Sequence, residues 1–436
     1  MSDMAKTSAE LFASKALALQ VRTELTQNIL PYWINRICNP SGGFYGRISG
    51  TEEIDREAPV GGIMTARVLW TFASAYRVLG PSHPDSKTYL DMAIRAKRLL
   101  IDKFYDAEFG GTYWSLTPDF SPLDTKKQIY AIAFTIYGLA EFYRACGDEE
   151  ALEYAVKLFH DIENHSFDSA GCGYWEAFTR EWAPIEDMRL SYKDANESKT
   201  MNTHLHVLEA YTCLYRVWKD RLLDLRLRGL IEIFEFKILG EDGHLKLFFD
   251  DSWNCGYDIV SYGHDIEASW LLHEAAIVLG DAAVLERVEG LVPIIVRAAS
   301  EGFTPDGGMI YEMHGHAEGP VNGRGDEASD TCASEVCERK VDADRHWWVQ
   351  AESVVGYFNL WDHFGEQSGL ENALMCWDFI KNHLIDRENG EWFWSLRADG
   401  SINRDDDKAG FWKCPYHNGR MCMEIIERVA QSSDHQ

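Results

Sequence analysis

Histidine, carboxylate, arginine and tryptophan gather in a few short, otherwise apolar segments, a combination suited to moving protons near neutral pH. In Met201-Asn202-Thr203-His204-Leu205-His206-Val207-Leu208-Glu209, helical spacing puts Asn202, His206 and Glu209 on one face and turns His204 to another, because residues three and four apart are neighbours. A single buried histidine is more often a satisfied core group than a catalyst; three polar residues stacked on one helix face favour function. In Tyr262-Gly263-His264-Asp265-Ile266-Glu267, Gly263 predicts a helix start at His264. Glu267 follows at i+3, where a carboxylate would raise imidazole basicity and fix its tautomer.

Three further segments extend the set. In Gly410-Phe411-Trp412-Lys413-Cys414-Pro415-Tyr416-His417-Asn418-Gly419-Arg420, the proline predicts a loop before a short final helix, placing His417 near a helix N-terminus. The apolar neighbours Trp412 and Tyr416 argue against a plain surface histidine. Arg345-His346-Trp347-Trp348-Val349-Gln350-Ala351-Glu352 offers Trp348 and Glu352 at i and i+4, the first to stack on a sugar ring and the second to accept its hydroxyls, with Trp347 read as core. Arg67, in Thr65-Ala66-Arg67-Val68-Leu69-Trp70, opens an apolar helix. It either pairs with a buried carboxylate or projects into a cavity as a donor to an oxyanion.

Metal chemistry fits these residues poorly. His204 and His206 diverge on a helix, and His314, His316, Cys332 and Cys337 form no recognised ligand spacing; the chain has neither HExxH nor CxxC. Phosphate-binding glycine loops, nucleophile elbows and dinucleotide fingerprints are also missing. No metal and no cofactor are therefore expected. The ten cysteines are scattered among apolar residues and read as small buried hydrophobes, not a disulfide frame.

The elements that must position these residues show in an internal repeat. A glycine-bearing turn followed by an aromatic, strand-like run recurs at Gly42-Gly43-Phe44, Gly110-Gly111-Thr112-Tyr113, Gly171-Cys172-Gly173-Tyr174, Asp242-Gly243-His244, Asp306-Gly307-Gly308-Met309 and Asn389-Gly390-Glu391-Trp392. The copies lie roughly 60 to 80 residues apart. Between them run amphipathic stretches, usually two, with apolar residues at i, i+3, i+4 and i+7. A helix pair repeated six times with short hairpins predicts an all-α fold, the (α/α)6 barrel, with hairpins and active site at one mouth. A helical solenoid shares the period but calls for a more uniform repeat and polar caps.

The formal charge of −28 disfavours a nucleic-acid partner, since phosphate backbones require clustered Lys and Arg. No segment resembles a signal peptide or approaches about 18 apolar residues. A cytoplasmic, monomeric protein without membrane contact is expected, over a single domain spanning 1–436. The 15 Trp, 19 Tyr and 21 Phe exceed what a core requires, as in sites that stack on sugars.

Taken together, NTHLHVLEA, YGHDIEASWLL, RHWWVQAES and WKCPYHNGRM, with KQIYAIAF and RVLWTFASAYR upstream, resemble the cellobiose 2-epimerase family within the N-acylglucosamine 2-epimerase superfamily. The likeness runs from about residue 30 to about 428. It implies an (α/α)6 barrel that inverts C2 of the reducing-end sugar of a disaccharide. It also implies that His417 and His264 are the acid–base pair, His206 a third essential histidine and Arg67 a contact to the reacting end. Tyr130, Asn202, Glu267, Trp348, Glu352 and Trp412 match substrate-binding positions. Such inversion passes through an enediolate, for which Arg67, Asn202 and His206 are the candidate stabilisers.

The stretch 314–340 is longer and more acidic than the usual connection in that family, and reads as a surface insertion or a cover for the mouth. Competing readings are a monosaccharide aldose–ketose isomerase, an N-acylglucosamine 2-epimerase, a barrel glycoside hydrolase using Glu267 with Glu352, and a non-catalytic sugar-binding protein.

Overall fold

A computed structural model describes residues 6–315 and 340–434. The chain begins with α1 (Ser8–Glu24), which passes through a π-helical turn (Leu25–Ile29) into α2 (Leu30–Arg36) as the first outer column. Inner and outer helices then alternate: α3 (Gly62–Leu79) and α4 (Ser86–Leu99), α5 (Ile129–Cys146) and α6 (Glu149–His165), α7 (Met201–Val217) and α8 (Arg221–Ile233). The order continues with α9 (Tyr262–Leu279) and α10 (Ala282–Ala299), α11 (Trp347–Phe364) and α12 (Gln367–His383), and closes on inner helix α13 (Tyr416–Asp434). Each inner helix packs on the next, and α13 packs back against α3. The ring is therefore closed, which rules out the solenoid.

Residue type decides which helices face the axis. Every residue of α5 from Ile129 to Phe142 is buried, whereas α6 buries one stripe, Ala151, Ala155, Leu158, Phe159 and Ile162. A helix apolar all round needs neighbours on every side, and an amphipathic one needs a single face covered. Gly138 shows how closely the inner ring packs: a Cβ there would lie 2.8 Å from the Ala66 carbonyl of α3.

The six glycine turns are present, each pinched by one antiparallel bridge: Cys38 with Phe44, Tyr105 with Thr112, Phe167 with Tyr174, Leu239 with Leu245, Phe303 with Met309 and Ile385 with Trp392. The ordered ladders, however, are not within these hairpins. The strand before each inner helix pairs with the strand after the next glycine turn, as in Gly61 with Ser115, Gln128 with Ala177, Thr200 with Phe248, Ser261 with Glu312 and His346 with Ser395. The bridge between Ile48 and Ala409 completes the circuit. Local alternation cannot reveal such pairings, because the partners lie about one repeat apart. Most of the 314–340 stretch, with His316, Cys332 and Cys337, lies outside the described residues. The eight described cysteines are all unpaired. No described helix is long and apolar enough to cross a membrane.

Buried lysines staple the turns to the inner helices. Lys127 Nζ lies 2.9 Å from Asp106, Lys199 Nζ 2.7 Å from Asp168 and Lys408 Nζ 2.7 Å from Asp386. Burial alone would raise these carboxyls. The lysines and turn N–H groups, with Arg180 at Asp106, outweigh it and hold all three below the usual aspartate range. A depressed carboxyl contributes stability that is complete above its unfolded pKa, about 3.9, and is lost as pH falls through the folded value. The thermal midpoint is thus expected to drop steeply below about pH 4, and to do so less steeply in Asp106→Asn, as calorimetry across pH 2–7 would record. Burial also draws Lys127 down from its ordinary value, which concerns alkaline pH and leaves the acid limb to the aspartates.

Candidate active site

The N-terminal ends of the inner helices converge on one mouth, and the residues singled out above fall there in two tiers. Tyr130, Asn202, His264, Trp348 and His417 are second or third residues of α5, α7, α9, α11 and α13. One turn deeper, Arg67, Phe134, His206, Glu267 and Glu352 are each the sixth residue of their helix, and Arg420 is the fifth of α13. Arg67 therefore lies below the mouth instead of opening its helix. The sixfold repeat places the same helical position of every inner helix at the same depth.

The three histidines share one arrangement: Nδ1 is anchored, and Nε2 has no hydrogen-bond partner among the described residues. His206 Nδ1 is 2.9 Å from Glu209, His417 Nδ1 is 2.7 Å from Glu352 and His264 Nδ1 is 2.8 Å from the Ser261 hydroxyl. A carboxylate can only accept, so His206 and His417 hold Nδ1–H and offer a basic Nε2. His204 differs: its Nδ1 meets the Thr200 carbonyl at 2.6 Å and its Nε2 accepts from the Tyr174 N–H at 2.9 Å. With both nitrogens used, it ties α7 to the third turn. His204→Gln is expected to cost about 1–3 kcal/mol of stability while leaving kcat of the folded enzyme within about threefold. His206→Gln should show the opposite, and denaturant melts beside steady-state kinetics separate the two.

One expectation about the carboxylates is corrected. Glu267 is not the partner of His264. On α9 the first-turn His264 lies beside Ser261, while Glu267 projects to the axis and receives Arg420 Nη2 at 2.5 Å. Glu352 is fully buried and accepts from His417, from Trp270 Nε1 at 3.1 Å and from Arg420 Nη2 at 2.7 Å. The geometry disfavours the hydrolase reading, since Glu267 and Glu352 share one guanidinium where a hydrolase needs two carboxyls placed on either side of a bond.

Arg420 is the hub that the sequence reading passed over. Its Nη1 donates to Glu209, which also accepts from the Tyr416 hydroxyl, and its guanidinium lies over the Trp270 and Tyr416 rings. Three buried carboxylates cannot all ionise around one cation. Burial would raise Glu209, but Arg420 and His206 hold it down at about 2. Burial and the neighbouring Glu352 push Glu267 up to about 7 despite Arg420. Burial also raises Glu352, yet its three N–H donors make it the better site for the charge, so we assign the shared proton to Glu267. Ligand-capable atoms of Glu267, Glu352 and His417 lie within 4.8 Å of one another, but Arg420 Nη2 already serves both carboxylates as their cation. The signal in sequence was spacing: Arg420 stands at i+3 from His417.

On the opposite wall, Arg67 Nη2 donates to the Tyr130 hydroxyl at 2.7 Å and Nη1 to the Trp412 carbonyl at 3.3 Å. Arg67 Nε and Asn202 Oδ1 are buried without partners among the described residues, and a ligand would satisfy both. Trp348 stacks near His264 and His417, with centroids 4.8 and 5.7 Å away, and Trp412 lies 6.2 Å from Tyr130. Burial holds His264 down at about 3 and, with Arg67 and Arg420, holds His417 well below the ordinary value; both rest neutral. A wider depression of about 440 Å³ on the outer wall, lined by Lys103, Tyr105, Glu108 and Arg180, contains none of these groups.

The loop carrying Trp412 and His417 is anchored by Glu391, fully buried and at φ 61°. Its carboxylate accepts from Trp33 Nε1 at 2.7 Å, Lys413 Nζ at 3.0 Å and Asn418 Nδ2 at 2.6 Å. Glu391→Ala strands the Lys413 ammonium and is expected to destabilise by about 3–5 kcal/mol, measurable by urea unfolding.

Residues 43–419 match the N-acylglucosamine 2-epimerase (GlcNAc 2-epimerase) family. A cellobiose 2-epimerase of Bacteroides fragilis is 59% identical over 412 residues, covering 94% of this chain and 98% of that protein. One from Ruminococcus albus is 38% identical over 411 residues, 94% and 98% of the two chains. The solved structure of the cellobiose 2-epimerase from Bacillus thermoamylovorans B4167 is 38% identical and superposes with a TM-score of 0.84 over 95% of this chain and 100% of that one. By fold, coverage and identity, the chain belongs to the N-acylglucosamine 2-epimerase family and, within it, to the cellobiose 2-epimerases.

Proposed function

We propose that the site inverts C2 of the reducing-end aldose of a β-1,4-linked disaccharide, taking cellobiose to glucosyl-mannose or mannobiose to mannosyl-glucose. The observation that carries this reading is the set of three histidines, each anchored at Nδ1 and free at Nε2, facing one mouth beside Arg67. Once the ring has opened, the hydrogen on C2 is acidified by the C1 aldehyde. Nε2 of one histidine of the pair His264 and His417 removes that proton. Both are neutral at rest, so the other first takes a proton from solvent at Nε2, and as imidazolium returns it to the opposite face of C2; the two exchange protonation states in each turnover.

The enediolate between these steps carries negative charge on O1 and O2. Arg67 meets it with a guanidinium that has an unused N–H and Asn202 with its amide, and His206, held at Nδ1 by Glu209, is the third contact to the enediolate oxygens. Six helix N-termini around the mouth add positive potential there. Trp348 and Trp412 offer flat faces to the sugar rings. The groups that take and return the C2 proton in this scheme are side chains of this chain, which supports a cofactor-free enzyme. We further infer one catalytic unit over 1–436, acting as a monomer in the cytoplasm.

The test is proton NMR in D2O with cellobiose, mannobiose, lactose, mannose and N-acetylglucosamine. Deuterium should enter C2 of the reducing-end residue of the disaccharides with the glycosidic bond intact. Free monosaccharide would mean a hydrolase, and binding without exchange a lectin.

A further inference from the structure

We propose that Ser261 is a positioning residue for His264, its hydroxyl holding Nδ1 so that Nε2 can both release and take the C2 proton. The inference rests on the reaction proposed above. Ser261 is the residue before α9 and is fully buried. A serine in this position ordinarily caps its helix by accepting a backbone N–H, and Thr200 does so for α7 by accepting from the Thr203 N–H. Ser261 makes no such cap. Its Oγ lies 2.8 Å from His264 Nδ1 instead, and pairing of Ser261 with Glu312 in the adjoining strand fixes where that oxygen sits.

The chemistry of the partner sets His264 apart from the other two histidines. Glu209 and Glu352 are acceptors only, whereas a hydroxyl rotates to donate or accept. It therefore serves neutral His264 in either tautomer and also the imidazolium. A hydroxyl adds no negative charge, so Ser261 does not favour the imidazolium of His264 in the way the Glu352 carboxylate favours that of His417. One member of the proton-carrying pair is thus backed by a carboxylate and the other by an alcohol.

The experiment uses Ser261→Ala, with Ser261→Thr as the rescue, in the full-length enzyme labelled with 15N at histidine. His264→Gln assigns the His264 resonances. In Ser261→Ala, kcat for epimerisation is expected to fall about tenfold, the size of one hydrogen bond, with KM within about twofold. The His264 ring-nitrogen resonances should move while those of His206 and His417 stay, and Ser261→Thr should recover most of the lost kcat. A kcat within about twofold of wild type in Ser261→Ala, or a loss of kcat with unmoved His264 resonances and no recovery in Ser261→Thr, overturns the proposal. If the wild-type protein fails to exchange C2 hydrogen, the reaction is wrong; the nitrogen resonances still report the Ser261–His264 contact.

Discussion

Replacing His417 or His264 with alanine is expected to lower kcat/KM for epimerisation by at least about 100-fold each, the usual worth of a positioned acid or base. Neither side chain has an understudy. Both imidazoles rest neutral in a buried mouth, and the nearby carboxylates that could move protons are engaged with Arg420. Glu352 belongs to the same unit, because its hydrogen bond to His417 Nδ1 fixes the tautomer that exposes a basic Nε2. Glu352→Gln should therefore depress kcat strongly and leave KM for disaccharide nearly unchanged, whereas a residue gripping sugar hydroxyls would raise KM. Steady-state kinetics on the three variants decides; more than about a tenth of wild-type activity in either alanine variant contradicts the assignment.

Arg420→Met should unfold the barrel floor. The guanidinium is fully buried and touches Glu209, Glu267 and Glu352, on α7, α9 and α11. Removing it leaves the Glu209 and Glu352 carboxylates without their cation and the Glu267 carboxyl without its donor. Breaking a buried pair by deleting one partner costs about 3–5 kcal/mol, and here more than one pair is lost. Arg420→Lys keeps the charge but not the fork that spans several oxygens, so it should recover part of the stability and little of the activity. Chemical denaturation and kcat measured on both variants check this. An Arg420→Met protein as stable as wild type would show that the three carboxylates are neutral in the fold.

The fold was legible because it is repetitive. Six glycine turns and six runs such as Ile129–Phe142 sit in register along the chain, and each inner helix must bury every face. The site was legible where helical spacing holds within one element: His206 with Glu209, and His417 in the first turn of α13. It was misread where partners come from different helices. Glu267 was paired with His264 by i+3 spacing, but a ring of six helices supplies cross-axis neighbours that no local spacing encodes, and Arg420 claimed it. The partners of Glu352, His417 and Arg420, are equally invisible to local spacing, since both lie on α13. Ser261 stands three residues before His264, a spacing the sequence does carry, but nothing local says that its hydroxyl turns to the imidazole instead of capping α9.

The central claim is that His264 and His417 serve opposite faces of C2. It is tested most directly by incubating each epimer in D2O with His264→Gln and with His417→Gln, and following the C2 hydrogen by NMR. Each variant should exchange the C2 hydrogen of one epimer without converting it, and the two variants should act on different epimers. Exchange of the same epimer by both, or conversion with deuterium by either variant at wild-type rate, would contradict the two-histidine account.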